Sequence, residues 1–118
     1  MWRGMLSSAK QRAKAKGLTF SLTLQDIHAM WREQDGRCYW FGVQLDQNVP
    51  SRDPFLPSLD RRDNHRGYTR DNVVLACWAA NMAKQNTSIE RWGELLADMR
   101  PRVTESARFD YSQSPEEQ

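Results

Sequence analysis

The stretch PSLDRRDNHRGYTRDNVVLACWAANMAK, residues 57 to 84, sets polar side chains where a packed core would take apolar ones. Asp60 is followed at once by Arg61 and Arg62, Asn72 precedes a β-branched run, and Asn81 falls in mid-helix. Asparagine is a poor helix former because its side chain competes for backbone hydrogen bonds. Its use at position 81 is explained if the amide oxygen binds something. Cys77, Asn81 and Lys84 recur at helical spacing, which points Asn81 and Lys84 together and assigns Leu75, Trp78 and Met82 to the core-facing side. The competing reading pairs Asp60 with Arg62 or another arginine and makes Asn72 and Asn81 ordinary cap or turn residues.

These side chains need a frame. In SLDRRD the strand period of two sends Asp60 and Arg62 away from Leu59 and Arg61. NHRGYTRDN supplies a turn, with Gly67 permitting positive φ, and VVLAC gives a short β-branched strand that leads into the helix. The unit is strand, loop, strand, helix.

Upstream, Trp2, Met5, Leu6, Ala9 and Ala13 recur at helical spacing with Arg3, Lys10 and Lys14 on another stripe, and Gly17 supplies a stop. This predicts a basic amphipathic helix over residues 2–16. Thr23 and Asp26 have N-capping spacing for a second helix with Leu24, Ile27, Met30 and Trp31 on one face, ended by Asp35 and Gly36. His28 on that helix reads as a partly buried packing residue. RCYWFGVQL reads as a short hairpin or bent strand with core aromatics, and the proline-rich residues 46 to 57 as a surface loop. Thr87 and Glu90 have capping-box spacing for a closing helix over 88–99, with Ile89, Trp92, Leu96 and Met99 on one stripe and Pro101 beyond it.

With 118 residues, 39% hydrophobic and 27% charged, the chain suits one small domain and carries no apolar run of membrane-spanning length. The expectation is a single α+β domain over residues 1–103 and a mobile acidic tail over 104–118. The net charge of +2 is unevenly spread. Residues 1 to 25 carry Arg3, Lys10, Arg12, Lys14 and Lys16 without an acid, whereas the tail carries Glu105, Asp110, Glu116 and Glu117 against Arg108. Such asymmetry suits a basic surface that meets a polyanion, or else a solvated helix face. Cys38 and Cys77 lack CxxC spacing, so two buried thiols in a reducing cytoplasm are expected, without a disulfide or a structural zinc.

The order Leu59, Asp60, Arg61, Asp63, Gly67, Tyr68, Asn72, Val73, Cys77, Asn81, Lys84 resembles that of the HNH, or ββα-metal, endonucleases, especially small phage-type members. The likeness spans residues 36 to 86, with GRCYWFGVQL similar to the segment that precedes the motif. It implies an α+β fold with a ββα-metal motif and flanking helices. It also implies that Asp60 and Asn81 ligate one divalent cation, Mg²⁺ or Mn²⁺ by their oxygen chemistry, and that Asn72 pins the loop. The chain departs at Arg61, where many members carry a histidine that acts as general base. A guanidinium stays protonated and suits phosphate instead, so His65 on the loop becomes the candidate base, against its plain reading as a solvated turn residue.

The function this implies is metal-dependent nicking of DNA in a bacterial or phage-infected cytoplasm. Asp60, Arg61, His65, Asn72 and Asn81 form its centre, and Lys10, Arg12, Lys14, Arg62 and Lys84 contact phosphates. The alternative is a non-catalytic nucleic-acid binder or adaptor on a degenerate HNH frame. A homodimer or a protein partner is left open, and a membrane partner is not expected.

Overall fold

Two short strands carry the residues singled out above. In the computed structural model, which describes residues 1–101, β1 (Pro57–Arg61) pairs antiparallel with β2 (Val73–Cys77). The register sets Pro57 opposite Cys77, Leu59 opposite Leu75 and Arg61 opposite Val73. Every residue of β2 is buried, as its run of β-branched and small apolar residues requires. The expected tail, 104–118, lies outside the described residues.

Four helices among the described residues complete this small α+β domain: α1 (Trp2–Lys16), α2 (Leu24–Glu33), α3 (Trp78–Lys84) and α4 (Ile89–Asp98). Ala9 and Ala13 of α1 are buried, so the helix approaches closely without large side chains. Gly17 ends it in a left-handed cap at φ 67°. Thr23 and Asp26 close a reciprocal capping box on α2, whose Ile27 and Met30 enter the core beside Leu59 and Leu75. None of these helices is long and apolar enough to cross a membrane.

Several local expectations need correction. Of the two readings of residues 37–45 the hairpin holds and the bent strand does not: the chain reverses at Gly42, φ 73°, with a single antiparallel bridge, Arg37 to Gln44. Within it Tyr39 is exposed while Trp40 and Phe41 are half-buried. Helix α4 is capped by Ser88, which accepts from the Arg91 N–H, one residue later than Thr87. His28 is exposed. Met82 is 42% exposed, and Lys84 takes the interior place that the helical stripe gave to Met82. Cys38 and Cys77 are free and buried side by side.

Gly67 is not used for positive φ, which the described glycines adopt at 17, 36 and 42. Its role is close approach. A Cβ there would fall 2.4 Å from the Thr19 carbonyl oxygen and 2.9 Å from the Thr19 nitrogen. The close approach lets Tyr68 exchange backbone hydrogen bonds with the α1–α2 connection, donating to Thr19 at 2.8 Å and accepting from Ser21 at 3.0 Å.

A side chain finishes the open edge of β2. The Gln34 amide donates to Leu75 O at 2.8 Å and accepts from Leu75 N at 3.0 Å, acting as one unit of a third strand. Leu75 is fully buried, so its N–H has no water to turn to.

Two stability predictions result. Gly67→Ala must push the 19–21 connection off the loop, and we expect a loss of about 1–3 kcal/mol, read as a lower denaturant midpoint. Gln34→Ala leaves the Leu75 N–H without its acceptor and should cost about 1–3 kcal/mol. An unchanged midpoint for Gln34→Ala would show that the strand edge re-pairs without the amide.

Candidate active-site cleft

The register of α3 on β1 builds the site. Cys77 faces Pro57 across the sheet, and the Trp78 N–H donates to Leu56 O at 2.8 Å, so α3 starts beside the beginning of β1. From there it runs along the strand. One turn on, Asn81 Nδ2 donates to Ser58 Oγ at 3.1 Å. At the far end Lys84 Nζ donates to Arg61 O at 2.7 Å. Asn81 and Lys84 do point together, and what they meet is β1.

Lys84 is 0% exposed and Asp60 5%. The ammonium lies 3.5 Å from Asp60 Oδ1 and donates to Arg61 O and, at 3.4 Å, to Asn64 Oδ1. Asp60 Oδ2 accepts from the Trp40 indole at 2.7 Å. Burial raises the Asp60 carboxyl above its ordinary value, outweighing the downward pull of the Trp40 hydrogen bond and the Lys84 charge. The expected Lys84–phosphate contact is therefore not available on the surface. Its partner is the buried carboxylate, and Arg62, the surface partner weighed for Asp60, is instead exposed over the Tyr39 ring at 5.7 Å.

Asn72 is buried and closes the loop between the strands. Its Oδ1 accepts from Asp63 N at 3.0 Å, and its Nδ2 donates to Asp63 O at 3.1 Å and Gly67 O at 2.9 Å. Arg61 turns into the same loop, its Nη1 donating to Asn64 O at 2.7 Å and Arg66 O at 3.2 Å. Its guanidinium lies 5.2 Å from the centre of the Tyr68 ring.

A cleft of about 800 Å³ opens between α1, β1 and α3. Asp60 and Asn81 line it, together with Arg61 from β1 and Arg12 and Lys16 from α1. Of the other expected phosphate-binding residues, Lys10, Lys14 and Arg62 are exposed outside it. His65 lies elsewhere. Its backbone N–H donates to Asp63 Oδ1 and its side chain borders a separate hollow beside Asn86 and the start of α4.

The donors suit a hard cation in type: one carboxylate, and an amide oxygen that accepts no hydrogen bond among the described residues. Among those residues no group of three or more His, Cys, Asp and Glu side chains gathers to hold a metal, so a cation here would rest on this oxygen pair and on water. Lys84 would compete with it for Asp60.

Sequence reasoning did not single out Trp40, Lys16, Ser58 or Asn64 as site residues, and it used Tyr68 only as a motif position. Lys16 carried a signal, being one turn beyond Arg12 on the same stripe of α1. Trp40 carried none, because an aromatic in an apolar run reads as core. Compared with family models, curated proteins and solved structures, the chain matches none.

Proposed function

We propose that the chain is a metal-dependent endonuclease that nicks DNA at the cleft between α1, β1 and α3. One observation carries this reading: a buried carboxylate and a half-buried amide oxygen, Asp60 and Asn81, line the same open cleft as the cations Arg12, Lys16 and Arg61. Asp60 and Asn81 would hold Mg²⁺ or Mn²⁺, which when bound supplies charge stabilisation to the phosphate and leaving oxygen. Arg12 and Lys16 draw the phosphate backbone in. Arg61 presents its remaining guanidinium protons, and the Asn72 hydrogen bonds keep its loop in place. The HNH resemblance supports the same assignment of Asp60, Asn72 and Asn81.

A second reading, a non-catalytic DNA binder, is favoured by the Lys84 ammonium on Asp60 and by the position of His65 outside the cleft. Plasmid incubated with the full chain and Mg²⁺, Mn²⁺ or EDTA separates the two. Metal-dependent conversion to open circles is the expected result; binding without conversion in any metal supports the binder.

Variants sharpen the test. Asn81→Ala should lower metal-dependent nicking by about a hundredfold or more with little loss of melting temperature, because it removes an oxygen donor from a half-buried position. Asp60→Ala behaves differently, since it leaves the buried Lys84 ammonium without its carboxylate, and should cost about 3–5 kcal/mol of stability as well as activity. Full nicking by folded Asn81→Ala would remove the metal assignment.

Lys10 and Lys14 are exposed on α1 beyond the cleft. Replacing both with Gln should weaken DNA binding and flatten its salt dependence by about 0.9 in logarithmic slope for each phosphate that is no longer neutralised, while leaving the metal requirement of nicking intact. Anisotropy titrations over a range of salt concentrations would show it.

A further inference from the structure

The cleft changes character from end to end. The Trp78 backbone N–H donates to Leu56 O at the start of β1, Met82 follows one turn further along α3, and Met1 and Met5 from the first turn of α1 line the same cleft. Met1 and Met82 are among the exposed large apolar side chains of the described residues. At the other end of β1 the lining is cationic. Arg12 Nε donates to the Tyr68 hydroxyl at 3.3 Å, and the Arg12 and Arg61 guanidiniums stand 5.9 Å and 5.2 Å from the centre of the one Tyr68 ring.

Arg12, Lys16 and Arg61, like several cations elsewhere on the surface, have no carboxylate within salt-bridge distance among the described residues, and Asp60 acts on Arg61 only from further away. Arg61 is only 9% exposed, so bulk water does little to offset its charge. A phosphate at this end of the cleft would bring an anion to guanidiniums whose planar forks suit it.

Met5 and Arg12 are separated along α1 by roughly 10 Å at 1.5 Å of rise per residue. Asn81 stands one turn past Trp78 against Ser58, near the start of β1, and Asp60 immediately precedes Arg61, near its end. We infer that the cleft takes single-stranded DNA in preference to duplex, with an unpaired base against Trp78, Met82 and Met5 and its phosphate between Arg12 and Arg61. A base can lie against Trp78 and the methionines only when its own faces are free, which pairing and stacking inside a duplex prevent. A duplex reaches only the cationic end. The inference rests on the reading of this cleft as a DNA site and adds the form of DNA it accepts.

The test is an anisotropy titration of the full chain in EDTA, so that no strand is cut, with a labelled 12-nucleotide DNA and its duplex at one salt concentration. The single strand should bind about fivefold or more tightly, the scale of losing or gaining one stacked base. Trp78→Ala, and independently the exposed-site variant Met82→Ser, should weaken single-strand binding and leave duplex binding unchanged, whereas Arg12→Gln should weaken both. Equal or tighter duplex binding, no binding of either form, or full single-strand affinity in folded Trp78→Ala and Met82→Ser overturns the inference. Single-strand preference in EDTA without nicking in any metal would remove the enzyme reading alone; nicking with equal binding of both forms would remove this inference alone.

Discussion

The buried pair between Lys84 and Asp60 is the interaction on which the cleft depends. Placing either charge in the interior costs several kcal/mol, and the cost is offset only where geometry and hydrogen bonding are complete. Here several partners share that offset: Arg61 O and Asn64 Oδ1 accept from the ammonium, and the Trp40 indole donates to the second carboxylate oxygen, although burial still holds the Asp60 carboxyl above its ordinary value. The demand for those partners sets the register of α3 along β1, because sliding the helix by one residue would strand both charges. Trp40 carries the constraint outward, standing edge-on to the buried Trp92 of α4 at 6.0 Å and 89°. A single polar interaction thereby ties together a strand, two helices and the turn at 38–42.

The other wall is held from a distance. The loop between the strands is closed on itself by Asn72 and then fastened to the α1–α2 connection by Tyr68, through the space that Gly67 leaves open. Tyr68 is thus used twice, its backbone joining two segments and its ring and hydroxyl meeting Arg61 and Arg12. The position of α1 against β1, and hence the width of the cleft, follows from this strap as much as from the packing of Ala9 and Ala13.

Signals that act within one turn or one strand were legible in the sequence. The Gly17 stop, the Thr23 and Asp26 capping box, the β-branched run at 73–77 and the helix that follows it all stand where local chemistry puts them. Interactions made across the chain were not legible. Nothing near Lys84 announces that its partner is Asp60, so an amphipathic stripe gave Met82 the interior and left the lysine outside. The helix resolves this the other way because an ammonium with an ion-pair partner and two hydrogen bonds tolerates burial, while methionine loses little by lying at a cleft mouth. Gly67 shows the same limit: positive φ is the usual reason for a loop glycine, and the backbone of Thr19, far earlier in the chain, is invisible as its neighbour until the chain has folded. The Gln34 amide on Leu75 likewise joins residues too far apart in sequence for any pattern to connect.

A lone carboxylate at the floor of a cleft would repel phosphate, and burial would make the repulsion stronger by removing the water that screens it. Lys84 changes the balance. With its ammonium beside Asp60, the floor is close to neutral seen from the cleft, and the field there is set by Arg12, Lys16 and Arg61. The same ammonium lowers the attraction of Asp60 for a second cation, so the groups that favour phosphate and those that favour metal are coupled through one side chain. A metal at Asp60 and Asn81 would gain from a phosphate already seated between the arginines, because the added negative charge offsets what Lys84 withholds. On the proposed function, cation and nucleic acid would therefore each strengthen the binding of the other.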